Sequence, residues 1–439
     1  MTNRREPLFL FVVDIGLFLA ALWLTLLLRY LVVPSFNTWY NHFVPFSLLF
    51  LVWVLIFFIA GLYDKHTTLF RGRMPTIILN AQAINITIAA LFFFFVPNFG
   101  VAPKTSLGIY LIVSSALILF WRLYIFPRLV VKKQQRAILI AAGEEMEELH
   151  AEVNRDARHP FFFVAFINPT SRRTADLVRK IRHLVTKERI TIVVIETLDE
   201  KVVKALPELY DLVFSGVRFI DAGRAYEEVF DREPLSLLKH QWLVENISTA
   251  PQAAYDFGKR VIDITVASFL GLLTLLAYPF IALAIKLDDR GTVFISQERI
   301  GKGGALIRIV KFRSMEVEGS EKVTRVGRAL RASRLDELPQ LLSVVQGRQS
   351  LIGPRPELPR YAELYAKRIP YYHIRHLIKP GLSGWAQIQE IRPPKFGVEY
   401  DATERKLSYD LFYIKHRSLW LDIKISLKTV RILLLRSGI

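Results

Sequence analysis

Apolar residues gather into long blocks at the start of the chain and into short ones later. Leu8–Leu28 contains one ionisable group, Asp14, and three further blocks follow at Phe43–Leu62, Ile77–Val96 and Leu107–Val131. About 20 apolar residues cross a bilayer as a helix, so the pattern predicts four spanning helices within residues 1–131. Arg4 and Arg5 precede the first block, as they would in a secretory signal. That block is too long for a signal, and no small-residue cleavage pattern follows before Arg29 and Tyr30. Basic residues collect at the N-terminus, in the second loop (Lys65, Arg71, Arg73) and after the fourth block (Lys132, Lys133, Arg136). The first and third loops hold only Arg29 and Lys104. The positive-inside bias therefore puts the N-terminus and everything beyond residue 131 in the cytoplasm. Asp14 has two readings, a polar contact between helices or a ligand or ion site.

From 132 to 250 the texture becomes that of a soluble α/β domain. Short apolar runs (Ala137–Ala142, Phe162–Ile167, Ile190–Ile195, Val217–Ile220) alternate with helical stretches at Glu144–Asn154, Ala175–Thr186 and Lys201–Phe214. Such alternation predicts a parallel sheet covered by helices. The first strand–turn–helix reads Ala141-Ala142-Gly143-Glu144-Glu145 and lacks the G-x-G-x-x-G of a dinucleotide fingerprint. Two glutamates where a pyrophosphate would rest disfavour an anion, so this Rossmann-like domain is read as regulatory or assembly-forming.

Residues 251–439 open with another apolar segment, Val261–Leu287, interrupted by Pro279 and flanked by Lys259, Arg260, Lys286 and Arg290. One reading is a kinked fifth span. The other is a re-entrant helix over residues 257–287 that turns back at Pro279, where the missing N–H favours a bend. Basic residues on both flanks favour the second. The whole chain is 439 residues, 52% hydrophobic, with a net charge of +18 and no cysteine. Disulfides, thiolate zinc sites, cysteine nucleophiles and iron–sulfur clusters are excluded. High hydrophobicity with a basic excess points to anionic headgroups or phosphorylated substrates rather than to a nucleic-acid tail.

Candidate chemistry lies in Thr292–Ile439. In Ser333-Arg334-Leu335-Asp336-Glu337-Leu338-Pro339-Gln340, the proline suggests a helix starting near Asp336–Pro339. Two carboxylates would then sit at the positive end of a helix dipole. Neighbours on a helix point about 100° apart, so one could attack while the other holds a cation. The plainer alternative is a capping box from Ser333 to Asp336. Arg325, Arg328, Arg331 and Arg334 recur every third residue, Lys311 and Arg313 lie in a strand-like run, and Arg355 is held between Pro354 and Pro356. Guanidinium groups bind phosphate oxygens bidentately, although a solvated basic face would look the same. No aromatic platforms for single-stranded nucleic acid interleave these rows. Tyr409–Leu435 carries an apolar stripe (Leu411, Phe412, Trp420, Ile423, Leu427, Val430) beside Lys424, Lys428, Arg431 and Arg436. It reads as a basic amphipathic helix at a membrane surface or as a core helix with solvated lysines.

The ordered motifs of this stretch resemble the bacterial sugar transferase family, monotopic phosphoglycosyl transferases. They are Lys259-Arg260 with Asp263, Gln297-Glu298-Arg299-Ile300-Gly301, Lys311-Phe312-Arg313-Ser314-Met315 and Thr324-Arg325-Val326-Gly327-Arg328. Leu330-Arg331, Leu335-Asp336-Glu337-Leu338-Pro339-Gln340, Gly353-Pro354-Arg355-Pro356, Pro380-Gly381-Leu382-Ser383-Gly384-Trp385-Ala386-Gln387 and Tyr409-Asp410 continue the series. With four preceding helices and an α/β domain, the whole chain is similar to the long form of that family. The implied fold is a membrane α plus α/β protein: four N-terminal transmembrane helices, a Rossmann-like domain and a mostly α catalytic domain with a re-entrant helix.

The resemblance implies a reaction as well. Asp336 would attack the β-phosphate of a UDP-hexose, releasing UMP, and undecaprenyl phosphate would displace the sugar-phosphate from the enzyme. This would be the first membrane step of exopolysaccharide, capsule or O-antigen synthesis. Glu337 would hold Mg²⁺, and Lys311, Arg313, Arg331, Gln340, Pro354, Arg355 and Pro356 would contribute to substrate binding. The implied setting is the bacterial inner membrane, with the catalytic domain on the cytoplasmic face, against membrane lipids, in a homodimer and without nucleic acid. Three positions depart from the usual family pattern: Tyr278 before the proline, Ile388-Gln389-Glu390-Ile391-Arg392 after Gln387, and Ser320-Glu321-Lys322-Val323 before Thr324. The competing readings are a catalytically idle scaffold of polysaccharide assembly and a glycosyltransferase that releases UDP.

Overall fold

The computed structural model describes residues 5–63, 74–96, 104–130, 134–156, 159–170, 173–246, 252–316, 322–390 and 399–435. The flanking charges Arg4, Lys65, Arg71, Arg73, Lys132, Lys133 and Arg436 lie outside them, as do Ser320, Glu321, Ile391 and Arg392. The chain divides into two compact units, residues 1–134 with 158–160, and residues 135–157 with 161–439. Among the described residues five helices are long and apolar enough to cross a membrane, four in the first unit and one in the second.

The first unit contains α1 (Arg5–Tyr30), α2 (Phe36–Ile59), α3 (Met74–Phe95) and α4 (Lys104–Phe120), the last continued by a π-helical turn, Trp121–Ile125, and by α5 (Phe126–Val130). Phe18, Phe46, Trp53 and Tyr110 fill the centre, while Leu51, Phe94, Phe95 and Ile112 face outward. Helices apolar on every side suit lipid, because all their backbone bonds close internally. Asp14 proves to be a contact between helices. Its carboxylate accepts Arg122 Nη2 at 2.5 Å and Tyr63 Oη at 2.9 Å, fully buried.

The second unit begins as an α/β layer: β1 (Gln135–Ile140), α6 (Glu144–Arg155), β2 (Phe161–Ile167), α7 (Thr174–Glu188), β3 (Ile192–Ile195), α8 (Glu200–Leu209), β4 (Arg218–Asp221), α9 (Ala222–Phe230) and α10 (His240–Asn246). The four strands are parallel, in the order β2-β1-β3-β4. One face buries Leu139, Met146, Val194 and Tyr226, and the other Ile138, Ile140, Ile181 and Val193. Burial on both faces explains why these strands read as unbroken apolar runs. At the start of α6, Glu145 accepts the backbone N–H groups of Leu235 and Ser236, each at 2.9 Å.

The remaining elements are α11 (Ala253–Asp289), an antiparallel hairpin of β5 (Phe294–Ile300) and β6 (Leu306–Phe312), α12 (Arg325–Ala332), a 3-10 turn (Leu335–Gln340), α13 (Leu341–Val345), β7 (Ser350–Ile352), α14 (Pro359–Arg368), β8 (Gly381–Ser383), α15 (Trp385–Gln389), α16 (Tyr400–His416) and α17 (Leu419–Leu435). Helix α11 runs unbroken through Pro279. Near its start, Lys259 donates to Asp422 at 2.7 Å, Arg260 to the Val344 and Val345 carbonyls, and Asp263 accepts Leu351 N–H at 3.0 Å. Near its end, Asp288 accepts Val326 N–H at 2.9 Å, and Ile285 packs with Phe312 and Leu330. Between these anchors Phe269, Leu272, Leu275, Leu276 and Phe280 are exposed. The Tyr278 ring, at the first departure from the family pattern, stacks on Phe294 and Phe312.

Tyr409–Leu435 is not one helix. It breaks between α16 and α17, where Ser418 Oγ accepts the Leu421 N–H. Leu411 therefore turns inward, while Trp420, Ile423 and Val430 face out. The α/β layer and α16 are joined through Lys415, which donates to Glu227 at 2.5 Å and to Glu233 at 2.9 Å, with His416 also on Glu227. Parallel strands β7 and β8 cross so closely that a Cβ on Gly381 would stand 2.1 Å from the Gly353 nitrogen.

Two stability changes follow from these contacts. Asp14→Leu or Arg122→Leu alone strands a buried charge and costs about 3–5 kcal/mol, whereas the double variant regains most of that; thermal unfolding in lipid nanodiscs reads it. Gly381→Ala forces two backbones apart and costs about 1–3 kcal/mol, measured the same way.

Candidate active site

The 3-10 turn Leu335–Gln340 carries the two carboxylates. Arg334, just before it, has left-handed backbone (φ 53°), so α12 ends at Ala332 and Arg334 leaves the face shared by Arg325, Arg328 and Arg331. Ser333 does not cap the following turn, because its hydroxyl donates back to the carbonyls of Ala329 and Leu330. The capping-box alternative for Asp336 is thereby removed, and both carboxylates are left for other partners.

Glu337 Oε1 accepts Lys311 Nζ at 2.8 Å and Arg355 Nη2 at 2.7 Å. Lys311 reaches it from β6, Arg355 from the Pro354–Pro356 segment after β7. Burial alone would push the Glu337 carboxyl up, but Arg355, Lys311 and Arg334 overcome it and hold it down at about 2. Asp336, buried at 8% exposure, behaves the opposite way. Burial and the neighbouring Glu337 charge raise its carboxyl above the ordinary aspartate value, against the pull of Lys311, Arg331 and Arg355. Adjacent carboxyls with opposite shifts mark a division of roles: one fixed anion, one group whose basicity is raised.

Arg331 is held beside Asp336 by donating Nε to Ser314 Oγ at 2.8 Å. The structure thus brings Asp336, Glu337, Lys311, Arg331 and Arg355 together. Arg313 points elsewhere. Its Nε donates to the Thr292 carbonyl at 2.6 Å and its guanidinium covers Gly291. Gln340 is buried and accepts Gln349 Nε2 at 3.3 Å. Pro354 and Pro356 contribute carbonyls, to Gly381 N–H at 2.9 Å and to Arg299 Nη1 at 3.4 Å.

Three residues not assigned to the site from sequence also belong to it. Arg299 on β5 and Arg334 add positive charge that acts on Glu337. Arg375 lies fully inside, paired with Asp410 at 2.8 Å and bonded to Tyr372 Oη at 2.6 Å. It donates to the Arg355 carbonyl at 3.2 Å and so positions that arginine. The signal for Arg299 was its place in a recognised motif and that for Arg334 its place in the arginine row; Arg375 had none. For Mg²⁺ the donor set is suitable. Magnesium favours one or two carboxylates together with phosphate oxygens, and Glu337 Oε2 accepts no hydrogen bond from the described residues.

With this geometry in view, the relatives are informative. The bacterial sugar transferase family model matches residues 254–436. A UDP-N-acetylgalactosamine-undecaprenyl-phosphate N-acetylgalactosaminephosphotransferase of Aeromonas hydrophila is 40% identical over 202 residues, 44% of this chain and 47% of that protein. A UDP-glucose:undecaprenyl-phosphate glucose-1-phosphate transferase of Caulobacter vibrioides is 42% identical over 198 residues, 42% of this chain and 72% of that protein. Its Escherichia coli namesake is 41% identical over 183 residues, 39% of each chain. The chain thus matches about half the length of the first of these relatives. With 72% of the Caulobacter protein covered and every carboxylate and cation of the site inside the matched segment or its strands, the chain belongs to the bacterial sugar transferase family.

Proposed function

We propose that the chain transfers a hexose-1-phosphate from a UDP-sugar to undecaprenyl phosphate through a covalent intermediate on Asp336. An Asp336 carboxylate oxygen bonds to the β-phosphorus while the bond from that phosphorus to the bridging oxygen breaks, and UMP leaves with that oxygen. A phosphate oxygen of undecaprenyl phosphate then bonds to the same phosphorus, the Asp336 oxygen leaves as carboxylate, and a lipid diphosphate sugar results. The observation that carries this reading is the opposed pair: Glu337 neutralised by Lys311 and Arg355, Asp336 buried beside it with its carboxyl raised. An anion attacking an anionic phosphate requires fixed positive charge in a site poor in water. Arg331, Arg355 and Lys311 provide it around the diphosphate. Mg²⁺, held by Glu337 and the substrate phosphates, would add Lewis-acid neutralisation of the leaving UMP.

The same reading extends to the setting. Helix α11 enters and leaves the bilayer on one side, which its bonding at both ends to one folded unit supports. The α/β layer is a Rossmann-like domain with a regulatory or assembly role, a reading supported by Glu144 and Glu145 at the start of α6, where Glu145 ties that helix to the backbone of Leu235 and Ser236. The catalytic unit faces the cytoplasm at the bacterial inner membrane, the protein is a homodimer, and the product enters exopolysaccharide, capsule or O-antigen synthesis.

A panel of UDP-sugars with undecaprenyl phosphate in membranes tests the proposal. UMP is the expected nucleotide, UDP would indicate glycosidic-bond formation, and release of neither would indicate an idle scaffold. Asp336→Asn should lower UMP release by about three orders of magnitude or more. The nucleophile must be ionised, so activity should fall as pH drops through the raised Asp336 value. Glu337→Gln removes one cause of that rise, and the acid limb of its residual activity should move to lower pH. An unmoved limb would contradict the coupling.

A further inference from the structure

The α/β layer meets the catalytic elements along one face of α16, in a cluster that the chemistry at Asp336 does not use. Helix α9 ends at Asp231, whose left-handed backbone (φ 52°) turns the chain onto α16. The Asp231 carbonyl accepts Trp385 Nε1 at 2.8 Å. Two residues on, Glu233 pairs its backbone with Ser408: its N–H donates to the Ser408 carbonyl at 3.1 Å, and its carbonyl accepts the Ser408 hydroxyl. Further along α16, Lys415 places its ammonium between two carboxylates, 2.5 Å from Glu227 and 2.9 Å from Glu233, and His416 bonds Glu227 as well. The Glu233 side chain is 2% exposed, so the charge that Lys415 meets is a buried one. The Trp242 ring of α10 lies 5.6 Å from the same ammonium. Lys415 thus fills the centre of the cluster, which is a clasp between two layers and not an open cation site.

Helix geometry carries this clasp to the far side of α16. At about 100° per residue, Ser408 and Lys415 fall on one face and Asp410 on the opposite one. There Asp410, 2% exposed, is paired with Arg375 at 2.8 Å. Arg375 in turn donates to the Arg355 carbonyl at 3.2 Å. Tyr413 shares the far face and donates to Asp422 at 2.6 Å, fastening α16 to α17. Asp410 lies between the two clasp points in sequence. The place at which α16 is fastened to the α/β layer therefore sets the place of Asp410 over Arg375, and a helix of this length carries the constraint as a rigid element.

We infer that Lys415, together with Glu227, Glu233 and Ser408, positions Arg355 through α16, so that the α/β layer controls how tightly the active site holds a nucleoside diphosphate. These four act through Asp410 and Arg375 and are positioning residues. The inference deepens the regulatory role proposed for the α/β layer and rests on Arg355 facing the substrate diphosphate. Coupling of this kind is reciprocal, so a ligand on Arg355 tightens the clasp in turn.

The test uses the full chain in lipid nanodiscs with Mg²⁺, titrated with UDP by calorimetry, alongside amide hydrogen exchange. Lys415→Met should weaken UDP by about fivefold or more, the lower end of coupling between sites, with the binding stoichiometry unchanged. A merely structural role would lower the stoichiometry and leave the dissociation constant alone. Ser408→Ala removes one hydrogen bond and keeps the fold, so it should weaken UDP by about twofold. In an Arg355→Met background, Lys415→Met should cause no further loss, because the group it positions is gone. Without ligand, the amides of residues 350–358 should exchange faster in Lys415→Met than in the unaltered protein. UDP should slow exchange at residues 231–234 of the unaltered protein. Asp336→Asn should show the same dependence on Lys415, so failure of the covalent mechanism is told apart from failure of the clasp. Absence of UDP binding in the unaltered protein would sink the proposed nucleotide site, and exchange at 350–358 would still decide the clasp. Four outcomes would overturn the inference: unchanged UDP affinity in Lys415→Met, an equal loss in the Arg355→Met background, lost stoichiometry at constant affinity, or unaltered exchange at 350–358.

Discussion

Two neighbouring carboxylates buried in one pocket repel each other, and the arrangement around Glu337 resolves that repulsion. Lys311 and Arg355 converge on a single Glu337 oxygen, so its charge is fixed, while Asp336 keeps a raised carboxyl and, among the described residues, no such partner. Pushing the basicities of two adjacent acids apart is how one site obtains two functions from the same chemical group. In the proposed reaction, the fixed member organises cations and the other supplies the attacking oxygen.

Most of the surrounding fold can be understood as holding those two cations in place. Lys311 lies on β6, whose register against β5 is continuous from Leu306 to Phe312. Arg355 follows a strand pressed against β8 at Gly353 and Gly381, where no side chain fits. Its carbonyl is tied to Arg375, itself held by Asp410 from α16. A buried ion pair is a poor source of net stability, but here it fixes the backbone that aims a guanidinium. The α/β layer is joined to the same helix through Lys415 and two glutamates.

Where burial alone decides structure, the sequence was legible. The long apolar blocks became helices because lipid permits little else, and the short runs after residue 134 became parallel strands because both faces are covered. The arginine row runs past the end of α12, which holds Arg325, Arg328 and Arg331, since a period of three says nothing about where a helix stops. Arg334 takes a left-handed conformation, its backbone bonded to Arg331 before it and Glu337 after it, which the spacing of arginines does not signal. The Tyr409–Leu435 stripe misled for a similar reason: its apolar residues serve two helices with different partners. Arg313 stood in the same strand-like run as Lys311, yet the chain has left β6 by then and its side chain folds onto Gly291. Arg375 was invisible because its role passes through a carbonyl and a carboxylate far away in the chain.

The proposed mechanism requires a bond from phosphorus to one oxygen atom, on Asp336. Protein mixed with UDP-sugar in the absence of lipid acceptor, quenched in milliseconds and digested, can be weighed peptide by peptide. The expected result is a hexose-phosphate increment on the peptide bearing Asp336, which disappears when undecaprenyl phosphate is added. Lipid product accumulating with that peptide never modified, or the increment residing on another side chain, would contradict it.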